Sequence, residues 1–218
     1  MYTLEGEVAV IGMDDGKANA VGHALIDEVN QGLTRSLAEA KAVVIVGRPG
    51  MFSAGFDLKE FENGPEATTA LVAKGARMML RLFSHPQPVV AACTGHAIAA
   101  GAFMLLASDT RIGVQGEFKI GLNETAIGMT LPVFALELSK ARLSKRHQSA
   151  AVIQAQLFSP DAATDAGFLD EVVAAEEALA RAIEVANVFA AYPGSAYGAN
   201  KLALRAAAIA TIEASLTG

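Results

Sequence analysis

Glu124 is the residue of this sequence whose chemistry most needs an explanation. It is the only charged residue between Lys119 and Glu137, and the segment around it reads IGLNETAIG. A carboxylate in apolar surroundings is costly unless it is paired, solvated or protonated, and the same desolvation raises its pKa toward neutrality. Such a carboxyl group can act as a general base. The alternative is a surface acid at the start of a helix, since Asn123 and Thr125 beside it are good capping residues.

Two segments rich in small residues each follow a short apolar run that is typical of a buried strand. Residues 47–58 read GRPGMFSAGFDL, and residues 94–102 read TGHAIAAGA. Small residues let a ligand approach the backbone, and N–H groups beyond such turns can point at one oxygen, above all where a helix begins. Two such N–H groups would form an oxyanion hole. The same residues would also suit close packing of strand ends against helices.

Several other catalytic patterns are absent from the sequence. Ser53 lies in GMFSAG, one residue too long for the G-x-S-x-G nucleophile turn, so a serine hydrolase is weakly supported. Neither G-x-G-x-x-G nor G-x-x-x-x-G-K-[ST] occurs, so no dinucleotide or P-loop nucleotide is indicated. The histidines show no metal-ligand spacing with each other or with Cys93, and we expect no metal site. They are His23, His85, His96 and His147.

Composition and charge narrow the class of protein. The 218 residues are 52% hydrophobic and 18% charged, which predicts a globular chain with one main core. A net charge of −6 without a long Lys/Arg cluster argues against nucleic acid or an anionic membrane as a partner. A single cysteine, Cys93, rules out an intramolecular disulfide, and the start of the chain does not resemble a signal peptide. We therefore expect a cytoplasmic protein.

One uncharged stretch, residues 88–108, is long enough to pass a crude test for a membrane span. It begins with PQP, contains TGH a third of the way along, and is followed at once by Asp109. A buried strand, a tight turn and a buried helix explain it better than a span.

Hydrophobic patterning predicts alternating strands and helices. Apolar runs at 8–13, 42–47, 88–93 and 110–114 are typical of buried strands. Helical stripes occupy the intervals between the first three runs, one that extends to Leu33 with Asn19 or a neighbour as its cap and one over residues 66–85. This order predicts an α/β protein with parallel strands and right-handed crossovers.

The composition changes near Pro132, after which strand-like runs nearly vanish. Helical stripes take over, such as Ala178, Ile183 and Val188. We therefore expect a sheet core that carries the active site in residues 1–135. A helical region for packing and oligomerisation would follow in residues 136–218.

Four segments together resemble the crotonase (enoyl-CoA hydratase/isomerase) superfamily: residues 52–58 (FSAGFDL), 95–101 (GHAIAAG), 108–109 (SD) and the segment around Glu124. The resemblance extends from KANA at 17–20 to SPDAATDAGFLD at 159–170. It implies a crotonase/ClpP-like spiral of ββα units with mostly parallel sheets, followed by a C-terminal helical region.

The resemblance also implies roles for individual residues. The backbone N–H groups of Phe56 and Ala100 would bind the thioester oxygen of an acyl-CoA, with Glu124 as the catalytic residue. Substrate contacts are expected from Ala54, Gly55, Asp57, Leu58, Phe103 and Asn123, and weaker CoA contacts from Lys17, Ala18 and Lys59. No cofactor is implied, because coenzyme A is part of the substrate.

Two departures from the family pattern indicate which reaction is catalysed. Ala99-Ala100-Gly101 stands where many members have three glycines, a mild change if the donor position needs no positive φ. Phe103 stands where hydratases of the family carry a glutamate, and the segment around Glu124 is most similar to mitochondrial-type Δ3,Δ2-enoyl-CoA isomerases, which also lack that acid. One base suffices to move a proton from C2 to C4, as in unsaturated fatty acid β-oxidation. Phe103 would then line the acyl pocket and exclude water.

Other readings of the sequence remain open. One is an enoyl-CoA hydratase or another crotonase-type reaction such as thioester hydrolysis, with Glu117 or Asp57 as a weak candidate for a second acid. Another is a catalytically silent acyl-CoA-binding or RNA-binding member. The family's assembly predicts a homotrimer or a dimer of trimers. Lys201 and Arg205 are further candidates for contacts to the CoA phosphates.

Overall fold

The computed structural model describes residues 1–217, which form two β-sheets and the helices that cover them. The strands are β1 (Tyr2–Glu5), β2 (Val8–Gly12), β3 (Ala42–Val46), β4 (Gly50–Ser53), β5 (Val89–Cys93), β6 (Gly95–Ile98), β7 (Thr110–Val114), β8 (Ile120–Gly121), β9 (Leu157–Phe158) and β10 (Glu171–Val173). The helices are α1 (His23–Glu39), α2 (Leu58–Phe61), α3 (Pro65–Phe83), α4 (Ala100–Ala107), α5 (Val133–Arg142), α6 (Pro160–Ala166), α7 (Ala178–Ala190) and α8 (Gly194–Leu216).

From β3 to β8, consecutive strands alternate between the two sheets, as expected for a spiral of ββα units. The larger sheet has the order β1-β2-β3-β5-β7-β10, and the smaller has the order β4-β6-β8-β9. Each of the pairs β3–β4, β5–β6 and β7–β8 therefore gives its first strand to the larger sheet and its second to the smaller. Only β1–β2 and β8–β9 pair antiparallel among the described strands. The predicted α/β fold class is confirmed.

The central strands β2, β3 and β5 of the larger sheet are buried on both faces, which explains why they are continuously apolar. Val43 and Ile45 of β3 lie in one core cluster with α1, α3 and α4. Ala42 and Val44 point the other way into a second cluster, where they meet α7. The buried stripe of α7 is Ala178, Ala182, Ala186 and Ala190, not the predicted Ala178, Ile183 and Val188. Small side chains at this spacing let α7 pack closely against the sheet.

The long predicted elements are present, with shifted ends. The four predicted strands correspond to β2, β3, β5 and β7, and the predicted helix over 66–85 is α3. Helix α1, however, begins at His23 with Gly22 as its cap, so of the predicted alternatives, Asn19 or a neighbour, Asn19 itself is wrong. Asn19 is instead fully buried with φ of 48°.

The region after residue 135 is not purely helical. Strand β9 joins the smaller sheet and β10 joins the larger one, so this region completes both sheets. Helix α5 begins at Val133, just before the predicted boundary. The last residue of the predicted helical region, Gly218, lies outside the described residues.

None of the described helices is long and apolar enough to cross a membrane. The uncharged stretch at residues 88–108 instead contains β5, β6 and the whole of α4.

Candidate active site

Glu124 lies three residues after the end of β8 and directly before a 3-10 turn at Thr125–Ile127. Its carbonyl oxygen accepts from the N–H of Met129 (2.9 Å), and the Thr125 hydroxyl donates to Val152 O (3.0 Å), so the backbone around it is fixed. The residue is only 7% exposed, and its Oε2 has no hydrogen-bond partner within the described residues. Burial raises the pKa of Glu124, and the N–H groups of Glu124 and Asn123 partly offset this.

A cavity of about 260 Å³ opens in front of Glu124. It is lined by Ala18, Ala20, Ala54, Gly55, Phe56, Leu58, Phe61, Ala99, Asn123, Glu124, Ile127 and Met129. Within the described chain, Glu124 is the only ionisable residue on this wall. A largely apolar wall around one unpartnered carboxyl group suits a general base of raised pKa.

The backbone of Phe56 presents a free donor on the same wall. Val21 and Phe56 form an isolated parallel bridge, in which the Val21 N–H donates to Gly55 O (2.8 Å) and the Asp57 N–H to Val21 O (3.4 Å). The Phe56 N–H between these two bonds points away from Val21 and has no partner within residues 1–217.

Ala100 supplies the second free donor. It is the first residue of α4, so its N–H has no partner inside the helix, and none is found elsewhere in the part of the chain that is described. The N-terminal end of a helix also favours negative charge. Both predicted oxyanion donors are therefore free. Phe56 lines the cavity, and Ala100 directly follows Ala99, which lines it.

Close contacts between the two glycine-bearing turns bring these donors together. A Cβ added to Gly55 would lie 3.0 Å from the Ala99 Cβ and 3.6 Å from the Ala100 nitrogen. A Cβ on Gly101 would lie 2.4 Å from Ser53 O, so glycine is needed where α4 meets the end of β4. The two turns therefore pack closely against each other and also present free N–H groups. The close-packing and oxyanion-hole interpretations of the sequence are compatible.

The alanine triplet is a larger departure than the sequence suggests. The donor residue Ala100 has ordinary helical geometry, but Ala99 before it has φ of 52° and ψ of −119°. A residue with a Cβ in such a sparsely populated region carries strain on the order of 1–3 kcal/mol. Replacing glycine by alanine is a mild change only where the residue needs no positive φ. Ala100 meets this condition and Ala99 does not.

Asn123, Ala54, Gly55 and Leu58 lie on the cavity wall as expected for substrate contacts. Asn123 Oδ1 is buried and has no hydrogen-bond partner among the described residues, so a ligand group could meet it. Asp57 lies elsewhere: its side chain caps α2 by accepting from the Lys59 N–H (3.1 Å), and it lines a neighbouring groove.

Phe103 is not on the cavity wall. It is 1% exposed, and its ring packs edge-on against Phe134 with centroids 5.5 Å apart. The position that the family pattern assigns to a second acid is therefore part of the apolar core. Glu117, the other weak candidate for that acid, is exposed and does not line the cavity.

The candidates for CoA contacts fall into two groups. Ala18 lines the cavity, and its carbonyl oxygen accepts from the Ala54 N–H (3.0 Å), while Lys17 and Lys59 are exposed. Lys201 and Arg205 are only 7% and 8% exposed and do not line this cavity. Both pair with the buried Asp109 and donate to backbone carbonyl groups.

Two residues that support the first turn were not identified from the sequence. The Asn19 amide donates to Met13 O (2.8 Å) and Phe52 O (3.1 Å), which ties the end of β2 to the end of β4. The Ser53 hydroxyl donates to Asn19 O (2.7 Å) and accepts from the Gly55 N–H (3.3 Å). A buried serine with these partners holds Gly55, and so the Phe56 donor, in place.

The described residues contain no group of three or more His, Cys, Asp or Glu side chains that could hold a metal ion. The polar groups that the described residues bring to this cavity are the Glu124 carboxyl group, the Asn123 amide and the free N–H groups of Phe56 and Ala100.

Comparison with known proteins identifies the family. The model described as enoyl-CoA hydratase/isomerase matches residues 3–217, and the chain belongs to this family. A solved structure from Mycobacterium tuberculosis, described as an enoyl-CoA isomerase, is 41% identical with a TM-score of 0.95, covering 100% of this chain and 96% of that one. The Pseudomonas syringae structure of an enoyl-CoA hydratase/isomerase family protein is 40% identical with a TM-score of 0.96, covering 99% and 94%.

Human mitochondrial enoyl-CoA delta isomerase 1 is 32% identical over 162 residues, which are 73% of this chain and 54% of that protein. The matched regions span about half the length of the first curated relatives. Relatives of this family include proteins named as hydratases and proteins named as isomerases. The family is therefore shown, and the particular reaction is a separate question.

Proposed function

We propose that this protein is a Δ3,Δ2-enoyl-CoA isomerase that uses one glutamate. The observation that carries the proposal is that Glu124 is the only ionisable residue on the cavity wall, counted over the described chain. Of the two free donors, Phe56 lies on that wall and Ala100 directly follows Ala99, which also lies on it. Hydration of a double bond needs groups to activate water and to protonate carbon. Isomerisation needs only one base that gives up the proton it has taken.

The mechanism follows from where charge develops. In a 3-enoyl thioester the C2 protons lie between a carbonyl group and a double bond, so removing one gives a dienolate whose charge collects on the thioester oxygen. The N–H groups of Phe56 and Ala100 would stabilise that oxygen, and each such donor contributes about 2.7–4 kcal/mol in acyl-transfer sites. Glu124 would take the C2 proton and return it to C4.

Burial supports this role of Glu124. Desolvation raises the pKa of its carboxyl group, which makes the carboxylate a stronger base toward a carbon acid. The apolar side chains around it would also keep water away from the dienolate.

The runner-up is an enoyl-CoA hydratase, which the relatives named as hydratases favour. The positions of the candidate second acids speak against it. Phe103 is apolar and buried, Asp57 caps a helix, and Glu117 is exposed. A catalytically silent acyl-CoA-binding or RNA-binding protein is disfavoured by the buried, unpartnered Glu124.

Assembly, location and pathway belong to the same proposal. Helix α8 exposes apolar side chains, Leu204 at 86% and Leu202 at 42%, which supports self-association as a homotrimer or dimer of trimers. A cytoplasmic enzyme of fatty acid metabolism, with Lys17 and Lys59 near the CoA and no separate cofactor, fits this reading.

The direct test compares wild type with Glu124→Gln on 3-hexenoyl-CoA, following the conjugated product. The substitution keeps the shape of the side chain and removes the base, so kcat should fall about 10²–10⁴-fold. Glu117→Gln, which neutralises an exposed acid nearby in sequence, should keep wild-type turnover. Isomerisation by Glu124→Gln at the wild-type rate would contradict the proposed mechanism.

A further inference from the structure

Ala99 is the residue of the site whose own side chain disfavours its backbone conformation. Its φ of 52° and ψ of −119° lie where glycine is at ease and residues with a Cβ are rare. Hydrogen bonds hold it from both sides, because its N–H donates to Gly121 O (3.0 Å) and its carbonyl oxygen accepts from the Phe103 N–H (3.0 Å). Glycine would make the same two bonds without strain. What alanine adds is one methyl group.

That methyl group lies where the two donor turns meet. Gly55 and Ala99 immediately precede the donors Phe56 and Ala100, and all but Ala100 line the cavity. The Ala99 Cβ would be 3.0 Å from a Cβ placed on Gly55. The space between the two residues that precede the donors is therefore already occupied by the Ala99 methyl group.

The chemistry of a thioester shows which substrate group is affected. A carbonyl carbon whose oxygen is held by the two donors carries two other substituents, the sulfur and C2. The sulfur side is identical in all CoA thioesters. Acyl groups therefore differ next to the carbonyl only at C2, which is also the carbon that Glu124 must reach.

We propose that Ala99 is a specificity-determining residue, and that its methyl group restricts the site to acyl-CoA thioesters that are unbranched at C2. The inference rests on the proposed function in one respect, namely that an acyl-CoA binds with its carbonyl oxygen at Phe56 and Ala100. A branch at C2 would add a methyl group to the space that Ala99 narrows. The strain at Ala99 then accompanies a gain in selectivity.

The test measures binding, so it does not depend on turnover. Butyryl-CoA and isobutyryl-CoA are isomers that differ by a branch at C2, and neither contains the double bond that an isomerase needs. By calorimetric titration, wild type should bind isobutyryl-CoA at least about tenfold more weakly than butyryl-CoA, the usual effect of one methyl group in a fitted pocket. In Ala99→Gly the two dissociation constants should come within about threefold of each other. The melting temperature of this variant should rise, because glycine relieves the strain.

Ala20→Gly is the matched control, because Ala20 is an alanine on the same cavity wall without a positive φ. It should keep the wild-type ratio of dissociation constants. A ratio unchanged in Ala99→Gly, or lowered as much by Ala20→Gly, would overturn the inference. Failure of wild type to bind butyryl-CoA would contradict both this inference and the proposed function. Absence of isomerase turnover alone would contradict only the proposed reaction, because the ratio of dissociation constants would still test the role of Ala99.

Discussion

The Phe56 N–H, the Ala100 N–H and Glu124 Oε2 have no hydrogen-bond partner within residues 1–217, and neither has Asn123 Oδ1 beside them. Buried polar groups are nearly always paired, so such groups call for an explanation. Two donors and one acceptor complement a thioester whose oxygen gains charge while its neighbouring carbon loses a proton. The ligand would supply the missing partners.

A stability measurement can test the environment of Glu124 without substrate. Because burial raises its pKa in the folded state, the folded protein binds more protons than the unfolded chain between the two pKa values, and stability falls as the pH rises through that range. Glu124→Gln removes this effect. The variant should be more stable than wild type by on the order of 1 kcal/mol near pH 8, and the gain should vanish near pH 4.

Chemical unfolding at the two pH values would measure this difference. Asp57→Asn is a suitable comparison, because this carboxyl group caps a helix instead of facing the cavity. A Glu124→Gln variant that is less stable than wild type near pH 8 would contradict the raised pKa.

Short sequence segments and their resemblance to a known family predicted roles for Glu124, Phe56 and Ala100, and these roles stay predictions. Sequence reasoning missed the role of Asn19, whose amide joins segments 32 and 33 residues away, at Met51 and Phe52. It also missed the positive φ of Ala99, since nothing in the residue type signals it. Backbone strain is set by the neighbouring turns, which sequence alone does not place.

At the scale of elements, a buried cluster around Asp109 fastens α8 to the rest of the fold. The Asp109 carboxylate lies 2.5 Å from Lys201 Nζ and accepts from the Val89 N–H (2.8 Å) and the Tyr197 hydroxyl (3.1 Å). Arg205 Nη2 lies 2.9 Å from the other oxygen without the alignment of a hydrogen bond, and its Nη1 donates to Phe83 O. One carboxylate thus connects β5, β7 and α8.

Asp109→Asn should destabilise the protein strongly. The amide keeps the size of the side chain but leaves two buried cations without their anion, a loss of about 3–5 kcal/mol in comparable sites. Urea unfolding would measure the change in the free energy of unfolding. Glu7→Gln breaks an exposed pair with Lys41, in which both side chains are 59% exposed, and should have little effect. Equal effects of the two substitutions would show that α8 is held mainly by apolar packing.

The long elements were predictable because their apolar periodicity is clear. The short strands β4, β6, β8 and β9 were not, since two to four residues give no period and their pairing is set by the sheet. Residues 136–218 were predicted to be helical from their composition, and composition does not reveal short strands such as β9 and β10. Short strands that complete a sheet take their structure from distant partners.

At the scale of the whole molecule, α8 has an unusual distribution of side chains. Its two cations, Lys201 and Arg205, are buried, and Glu213 is the only exposed charge among the described residues from 194 to 217. Leucine and alanine side chains occupy much of the outer face. An exposed apolar helix face of this kind indicates contact with another chain, here proposed to be a second copy.

Leu204→Asp should weaken the proposed trimer, because it places a charge at the most exposed leucine of that face, which is 86% exposed. Analytical ultracentrifugation should show a shift from trimer toward monomer. Leu37→Asp, at a leucine on α1 that is 50% exposed, should leave the mass unchanged. A wild-type protein that is monomeric at micromolar concentration would contradict the proposed assembly.

The central claim is that this site moves a proton and does not add water. The most direct measurement compares two reactions of the wild-type enzyme: conversion of 3-hexenoyl-CoA to its conjugated isomer, and hydration of crotonyl-CoA. With Glu124 as the only ionisable residue on the described cavity wall, kcat/KM for isomerisation should exceed that for hydration by about 10²-fold or more. Hydration as efficient as isomerisation would contradict the account and assign the protein to the hydratases.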